Sequence, residues 1–363
     1  MSRRTVALVL AAGEGTRMRS SRPKPLHHLC GRPMVIYVLE ALGPDSVDAT
    51  VVVVGHGATW VEKEITECAA PGRRLSFVEQ PEQLGTGHAV SVALPAVEEA
   101  LGEGDGDVVI LPGDTPLLRQ GTIAALLEAH VESDAALTVL SAVVDDPTGY
   151  GRIVRAKDGS LAAIVEDRDA SPDVRALHEV NTSIMVVRQS VLGPALRRVG
   201  RANAQQEYYL TDVVAVLRDM GYDTRAVVAP DPGETAGVND RLQLAAAEKV
   251  LRRRINERWL QRGVSIWDPD NTHIDADVEL AVDVSLAPGS VLKGHCVIGA
   301  GAQLGPNCVL RDVTVGERAV IGAAEGTGAV VGPEAEVGSF VVLRPGAHVA
   351  PGEVVAPFSV VGP

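Results

Sequence analysis

The sequence predicts an α/β chain in two parts. A mostly parallel sheet with helices on both faces comes first, and a short parallel β-helix follows. Three observations carry this. As far as about residue 230, short continuous apolar runs alternate with helical stretches. A glycine loop follows the first of those runs directly. Beyond the middle of the chain the apolar period changes to six.

The first run is Val6-Ala7-Leu8-Val9, and Leu10-Ala11-Ala12-Gly13-Glu14-Gly15-Thr16-Arg17-Met18 comes straight after it. Gly13 and Gly15 lack Cβ and tolerate left-handed backbone, so N–H groups there can approach a polyphosphate closely. Arg17, and Lys24 within Pro23-Lys24-Pro25-Leu26, bring the positive charge a triphosphate needs. The loop is not a P-loop, since no Gly-x-x-x-x-Gly-Lys-Ser/Thr occurs. It is not a full dinucleotide fingerprint either, because Met18 stands where a third Gly or Ala would be. A tight strand-to-helix turn with surface cations is the plainer reading of the same residues.

Further strands are expected at Val51-Val52-Val53-Val54 before Gly55-His56-Gly57, at Val108-Val109-Ile110-Leu111 before Pro112-Gly113-Asp114, and at Leu137-Thr138-Val139-Leu140. Near-continuous apolar strands separated by helices indicate a parallel sheet buried on both faces. Ligands of such sheets sit beyond the carboxyl ends of the strands. The glycine loop and Asp114 both lie at such ends and can share one crevice. A linking helix follows at about Asp240–Arg262. Leu244, Leu251, Ile255 and Trp259 share one face of it, and Arg252-Arg253-Arg254 a solvated one.

In the last part apolar residues recur every six positions at Ile274, Leu280, Leu286, Leu292, Ile298, Leu304 and Leu310. After one shortened step the count resumes at Val315 and Ile321. After an irregular Gly-rich insert it continues at Val331, Val337, Leu343, Val349 and Val355. Small residues follow four positions after many of these, among them Ser290, Cys296, Ala302, Cys308, Ala319, Ala335, Ala347 and Ser359. A hexapeptide repeat is the signature of a parallel β-helix, three hexapeptides to a coil, here roughly five coils. The expected boundaries are 1–238 for the sheet domain, 239–263 for the linking helix and 264–363 for the β-helix.

Composition limits the function classes. The 363 residues carry a formal net charge of −14, against nucleic acid and anionic membrane as partners, and only 3% are aromatic. No apolar run reaches the roughly 20 residues a membrane helix needs. Ser2-Arg3-Arg4 before Val6–Ala12 is better read as the lead into a strand than as a signal peptide, which places the protein in the cytoplasm. Cys30, Cys68, Cys296 and Cys308 show no metal spacing and read as reduced thiols, the last two in the small-residue slot of the repeat.

Longer segments carry a specific resemblance. They include Gln80-Pro81-Glu82-Gln83-Leu84-Gly85-Thr86-Gly87-His88-Ala89, Gly113-Asp114-Thr115-Pro116-Leu117 and Asp146-Pro147-Thr148-Gly149-Tyr150-Gly151-Arg152. Ile164-Val165-Glu166, Glu179-Val180-Asn181-Thr182, Asn203 to Asp212 and Gly237-Val238-Asn239-Asp240-Arg241 follow in order. With the repeat, the chain resembles the bacterial bifunctional N-acetylglucosamine-1-phosphate uridyltransferase / glucosamine-1-phosphate acetyltransferase family over most of residues 5–360. The resemblance implies a Rossmann-like nucleotidyltransferase domain followed by a left-handed β-helix. It implies transfer from UTP to a sugar 1-phosphate, most simply N-acetylglucosamine 1-phosphate, with release of pyrophosphate. Ala12 and Gly13 would lie against the nucleotide. Gln80 and Gly85 would read the uracil edge with Thr86 beside them, and Arg17 and Lys24 would hold phosphates. Asp114 and Asn239 would hold Mg²⁺, and Gly151, Glu166, Asn181, Tyr209 and Thr211 would surround the sugar phosphate. Solenoids of this family pack into trimers, so a homotrimer is expected.

Each residue also has a plainer role. Asp114 and Asn239 can be helix N-caps, Glu166 a surface carboxylate, Asn181 a turn residue, and Tyr209 a core residue with its hydroxyl satisfied. His56 and His88 lie beside glycines with no evident second ligand. Three departures from the family pattern matter. The coils that carry the acetyl-CoA site do not follow Leu343-Arg344-Pro345-Gly346, so acetyltransferase activity is not expected. Ser183 stands where the family has glycine, and Pro25 where it has an aliphatic residue. These leave open another sugar or cyclitol phosphate, or another nucleotide. A non-catalytic regulatory or scaffold homologue would have lost metal or phosphate positions, whereas Arg17, Lys24, Asp114 and Asn239 are all present.

Overall fold

The computed structural model describes residues 3–44 and 46–363, so Ser2 of the basic N-terminal run lies outside the described residues. The chain divides into two compact units. One comprises residues up to His27 and Pro33–Leu244, the other His28–Arg32 and Ala245–Pro363.

The first unit is built on a nine-stranded sheet. Its strands are β1 (Arg4–Leu10), β2 (Ala49–Val54), β3 (Leu75–Glu79), β4 (Gly106–Pro112), β5 (Leu137–Val143), β6 (Arg152–Arg155), β7 (Leu161–Val165), β8 (Glu179–Arg188) and β9 (Thr224–Val228). The main order is β9-β5-β8-β4-β1-β2-β3, with the β6–β7 hairpin attached to β8. All of the main strands run parallel except β8, which is antiparallel to both β4 and β5. The apolar strands are buried on both sides because alternate residues point to opposite faces. Val6, Leu8, Val51 and Val53 pack with Val90, Ala93 and Val97 of the helix Thr86–Leu101. Ala7, Val9, Val52 and Val54 pack with Val35, Ile36 and Leu39 of the helix Met34–Ala41. The chain moves outward from β1 through β2 to β3 and then returns to the other side of β1 as β4. The strand order therefore reverses between β1 and β4, and the loops at their carboxyl ends border the crevice where such sheets bind ligands.

The second unit is the β-helix. Its short strands stack in three parallel sheets of six, six and five strands. Leu286, Leu304, Ile321, Val337 and Val355 stack in one sheet, and Leu280, Ile298, Val315, Val331 and Val349 in another. The third carries Ile274, Leu292, Leu310, Gly326 and Leu343. The Gly-rich stretch read as an insert is thus an ordinary turn of the coil with glycine in the apolar slot. A Cβ on Gly326 would come within 3.2 Å of Leu310 and 3.4 Å of Leu343, so the neighbouring leucines already fill that space. Ser290, Cys296, Ala302, Cys308, Ala319 and Ala335 are completely buried, as their small size requires. The helix Arg241–Gln261 crosses the boundary between the units in sequence. Within the second unit it buries Leu251, Ile255 and Trp259, and Asn256 Nδ2 donates to the carbonyls of Pro269 (2.8 Å) and Thr272 (3.0 Å). The hairpin His28–Arg32 belongs to this unit through Ala276 N–H donating to the Cys30 carbonyl (2.9 Å) and Arg32 Nε donating to Asp277 (2.8 Å). None of the four cysteines is in a disulfide.

Candidate active site

The loop after β1 is set by its backbone bonds and by one glycine. Ala11 N–H donates to Val53 O and Gly113 N–H to Leu10 O, both at 2.8 Å, which ties together the ends of β1, β2 and β4. Gly15 is left-handed (φ 66°), and a Cβ on it would meet Lys24 Cβ at 2.6 Å. The glycine is therefore what lets the lysine stem pass against the loop.

Every residue expected from the sequence to touch nucleotide, sugar phosphate or metal lines one cavity of about 800 Å³ in the first unit, whereas His56 and His88 do not line it. At its centre Lys24 Nζ donates to the Asp114 carboxylate and to Asn239 Oδ1, the latter at 2.9 Å. Arg17 donates to the same Asn239 oxygen at 2.9 Å. Two oxygens from positions 114 and 239 thus converge on one cation. The N-cap reading of both residues is set aside. Asp240, not Asn239, accepts the Gln243 N–H (2.9 Å) at the start of the helix Arg241–Gln261. The helix after Asp114 begins only at Gln120, with Arg119 at its N-cap. Gln243 in turn accepts the Asn239 N–H (2.7 Å), and Val238 N–H donates to the Asp114 carbonyl (2.8 Å), so the two segments are joined by backbone. Among the described residues no group of three or more His, Cys, Asp and Glu side chains could hold a metal. One carboxylate and one amide oxygen nevertheless suit a hard cation that keeps waters and takes substrate oxygens for the rest.

One wall of the cavity is Gln80, only 4% exposed, and the turn that follows it. Gly85 has φ 108°, and a Cβ there would lie 2.6 Å from the Tyr208 carbonyl, so no other residue fits. The Thr86 hydroxyl accepts the Leu210 N–H at 3.1 Å, which holds this turn against the segment carrying Tyr209 and Thr211.

The opposite wall holds Gly151, Glu166, Asn181, Tyr209 and Thr211. Thr211 donates to Glu166 Oε1 at 3.0 Å, and Tyr209 donates to Asp169 at 3.3 Å. Glu166 is not a surface carboxylate. Burial raises its pKa above the ordinary value, the Thr211 hydroxyl pulls it back down, and nearby Asp212, Asp169 and Asp167 push it up again. Burial likewise pushes the Tyr209 hydroxyl up to about 12, with Asp169 adding to it, so this hydroxyl is a neutral donor. Asn181 does make a turn, since its Oδ1 accepts the Ser183 N–H at 3.1 Å. That turn is a bulge in β8, where pairing with β5 shifts between Asn181 and Ile184. Ser183 lies in it with left-handed backbone (φ 63°) and lines the cavity.

Sequence reasoning missed two supporting residues, Asp169 behind Tyr209 and Gln243 behind Asn239, and it gave no role to His88, whose ring nitrogen Nδ1 lies 3.1 Å from Gln80 Nε2. His88 was within sight, two positions after Thr86 in the same segment.

The fold and this cavity define a nucleotidyltransferase class of domain, and residues 7–181 match the family described as the MobA-like NTP transferase domain. Similarity extends along the chain to proteins called bifunctional protein GlmU. That of Trichlorobacter lovleyi is 45% identical over 319 residues, 88% of this chain and 68% of the relative. That of Thermobifida fusca is 45% identical over 88% of this chain, and that of Thermoanaerobacter pseudethanolicus 44% over 86%. The chain belongs to the GlmU family. It spans 66% of the length of each of the last two relatives.

Proposed function

We propose that this chain catalyses Mg²⁺-dependent nucleotidyl transfer from UTP to a sugar 1-phosphate, most simply N-acetylglucosamine 1-phosphate. The observation that carries the reading is the convergence of Asp114 and Asn239 oxygens on the Lys24 ammonium, beneath the glycine loop and between β1 and β4. An ammonium held by those oxygens stands where a divalent cation would be held. Bound there, Mg²⁺ would neutralise charge on the α-phosphate and orient both substrates. In the reaction an oxygen of the sugar phosphate attacks the α-phosphorus, and the bond from that phosphorus to pyrophosphate breaks. The nucleophile is already an anion, so the protein needs no strong base. Its task is to align two anions and offset their repulsion, for which Arg17 and Lys24 are placed. Backbone at Ala12 and Gly13 and the wall at Gln80, Gly85 and Thr86 suit the nucleotide. Gly151, Glu166, Asn181, Tyr209 and Thr211 offer the donors and acceptors a sugar phosphate would use.

The Ser183 side chain, on a left-handed backbone beside Asn181 in the cavity lining, favours a second substrate reading on the same chemistry: a sugar or cyclitol phosphate differing from N-acetylglucosamine 1-phosphate near this contact. Three copies are proposed to assemble through the β-helix, whose strands leave Val297, Val309, Val320, Val330, Val342 and Val360 exposed. Sedimentation would report the mass. Among the described residues no helix is long and apolar enough to cross a membrane. The nucleoside triphosphate proposed as substrate places the reaction in the cytoplasm.

The test is a pyrophosphate-release screen with Mg²⁺, crossing the common nucleoside triphosphates with a panel of sugar 1-phosphates. Release with UTP and one N-acetylated hexose 1-phosphate is expected. Silence across the whole grid, from folded protein, would overturn the reading.

A further inference from the structure

Gln80 reads a base only if its amide presents a fixed face, and a terminal amide can turn over. Its surroundings decide the face. Gln80 Nε2 lies 3.2 Å from the Gly85 carbonyl, which can only accept, so that atom must be the nitrogen. The same nitrogen lies 3.1 Å from His88 Nδ1. Its second hydrogen is therefore donated to an unprotonated ring nitrogen, which makes His88 the tautomer with its proton on Nε2. Both amide hydrogens are then used. The amide oxygen takes no protein partner among the described residues, and Gln80 lines the cavity.

We infer that His88 is a positioning residue for base recognition: it locks the Gln80 amide so that an acceptor alone faces the nucleotide base. The inference rests on the nucleotide reading given above. An acceptor at this place suits a base whose ring nitrogen carries a hydrogen, as uracil N3 does, and opposes cytosine, whose N3 is a lone pair. Without His88 the Gly85 carbonyl holds only one of the two hydrogens, and the amide is freer to swing. The histidine is itself fixed. It lies in the first turn of the helix Thr86–Leu101, and its ring packs against that of Tyr208 with centroids 6.4 Å apart. Tyr208 N–H donates to Leu84 O (2.9 Å), and Gly87 N–H donates to Tyr208 O (2.8 Å). The turn that positions the base wall thus also positions the group that orients Gln80.

The test compares UTP with CTP, by calorimetric binding with Mg²⁺ and by turnover, for the unaltered chain, His88→Ala and His88→Asn. The side-chain oxygen of asparagine can replace Nδ1 as the acceptor. The unaltered chain is expected to favour UTP, and His88→Ala to narrow that preference roughly tenfold through weaker UTP binding, the value of one hydrogen bond lost at a buried site. Turnover at saturating UTP stays within about twofold, and His88→Asn recovers most of the preference. If His88→Ala keeps the full preference, or if alanine and asparagine lose it equally, the positioning role is wrong while the base reading stands. If the unaltered chain binds both nucleotides alike, the base reading falls and this inference with it.

Discussion

The Lys24 ammonium and the Asp114 carboxylate, 90 positions apart in the chain, are ion-paired inside the cavity, with the Asn239 amide oxygen accepting from the same ammonium. Nothing in packing alone requires this meeting. Lys24 passes over Gly15 to reach it, and the backbone bond from Val238 to Asp114 brings in the third partner.

If Lys24 neutralises developing charge, its removal damages turnover more than folding. Lys24→Ala is expected to lower kcat by about 10²–10³, the size of effect seen when one preorganised donor to transition-state charge is lost. Stability is expected to change by about 1 kcal/mol or less, because the cavity leaves Asp114 a quarter exposed and hydrated. Steady-state kinetics beside urea unfolding check both halves. Normal turnover in a folded variant would remove Lys24 from the chemistry.

The same geometry predicts opposite effects on metal affinity. If a divalent cation is held by the Asp114 and Asn239 oxygens as proposed, then in the absence of nucleotide the Lys24 ammonium competes with it for them. Lys24→Met is therefore expected to bind Mn²⁺ more tightly than the unaltered chain, roughly fivefold for a hydrated charge pair. Asp114→Asn is expected to bind it more weakly. Electron paramagnetic resonance of free Mn²⁺ measures this without any turnover. Equal affinities in all three proteins would mean that the cation is held elsewhere.

Much of this arrangement is legible in the sequence, and the illegible parts have physical causes. Continuous apolar runs such as Val51–Val54 announce strands buried on both faces, and the β-helix register can be counted from Ile274 onward. The slot at Gly326 escapes the count because the space is filled from its neighbours, which a one-residue pattern cannot express. The reversed direction of β8 is equally hidden, since Ile184-Met185-Val186-Val187 is as apolar as any parallel strand. In the cavity, residue types mark the groups that could touch substrate. They do not mark the groups that orient them. His88, Asp169 and Gln243 act through one hydrogen bond each, to partners whose proximity only the fold creates.

Ser183 offers a test of strain. A serine in left-handed backbone costs about 1 kcal/mol relative to glycine, partly offset by the greater freedom glycine gains on unfolding. Ser183→Gly is expected to stabilise the α/β unit by about 0.5 kcal/mol, seen as a higher urea midpoint with unchanged slope. The same change removes a side chain from beside Asn181. The KM for the sugar phosphate is therefore expected to move while the KM for the nucleotide holds still. A shift in the nucleotide KM instead would assign this bulge to the other substrate.

Glu166 supplies the pH dependence. Burial is the largest influence on it and raises its folded-state pKa above the ordinary carboxylate value of 4.5. The folded chain then holds the proton more tightly than the unfolded chain. As pH climbs from the unfolded value through the raised folded value, unfolding releases protons and stability falls; above the folded value the loss is complete and constant. A glutamine at this position can still accept the Thr211 hydroxyl but carries no charge to bury. Glu166→Gln is therefore expected to be more stable than the unaltered chain at pH 8, with the difference shrinking as pH drops toward 4.5. Urea unfolding across that range reads the difference directly. A gap that stays constant with pH would show that the Thr211 hydrogen bond already compensates the buried charge. The substrate measurement separates this from function: if the carboxylate also accepts hydroxyl donors of the sugar, the more stable variant has the higher KM for the sugar phosphate, and stability has been given up at this position for binding.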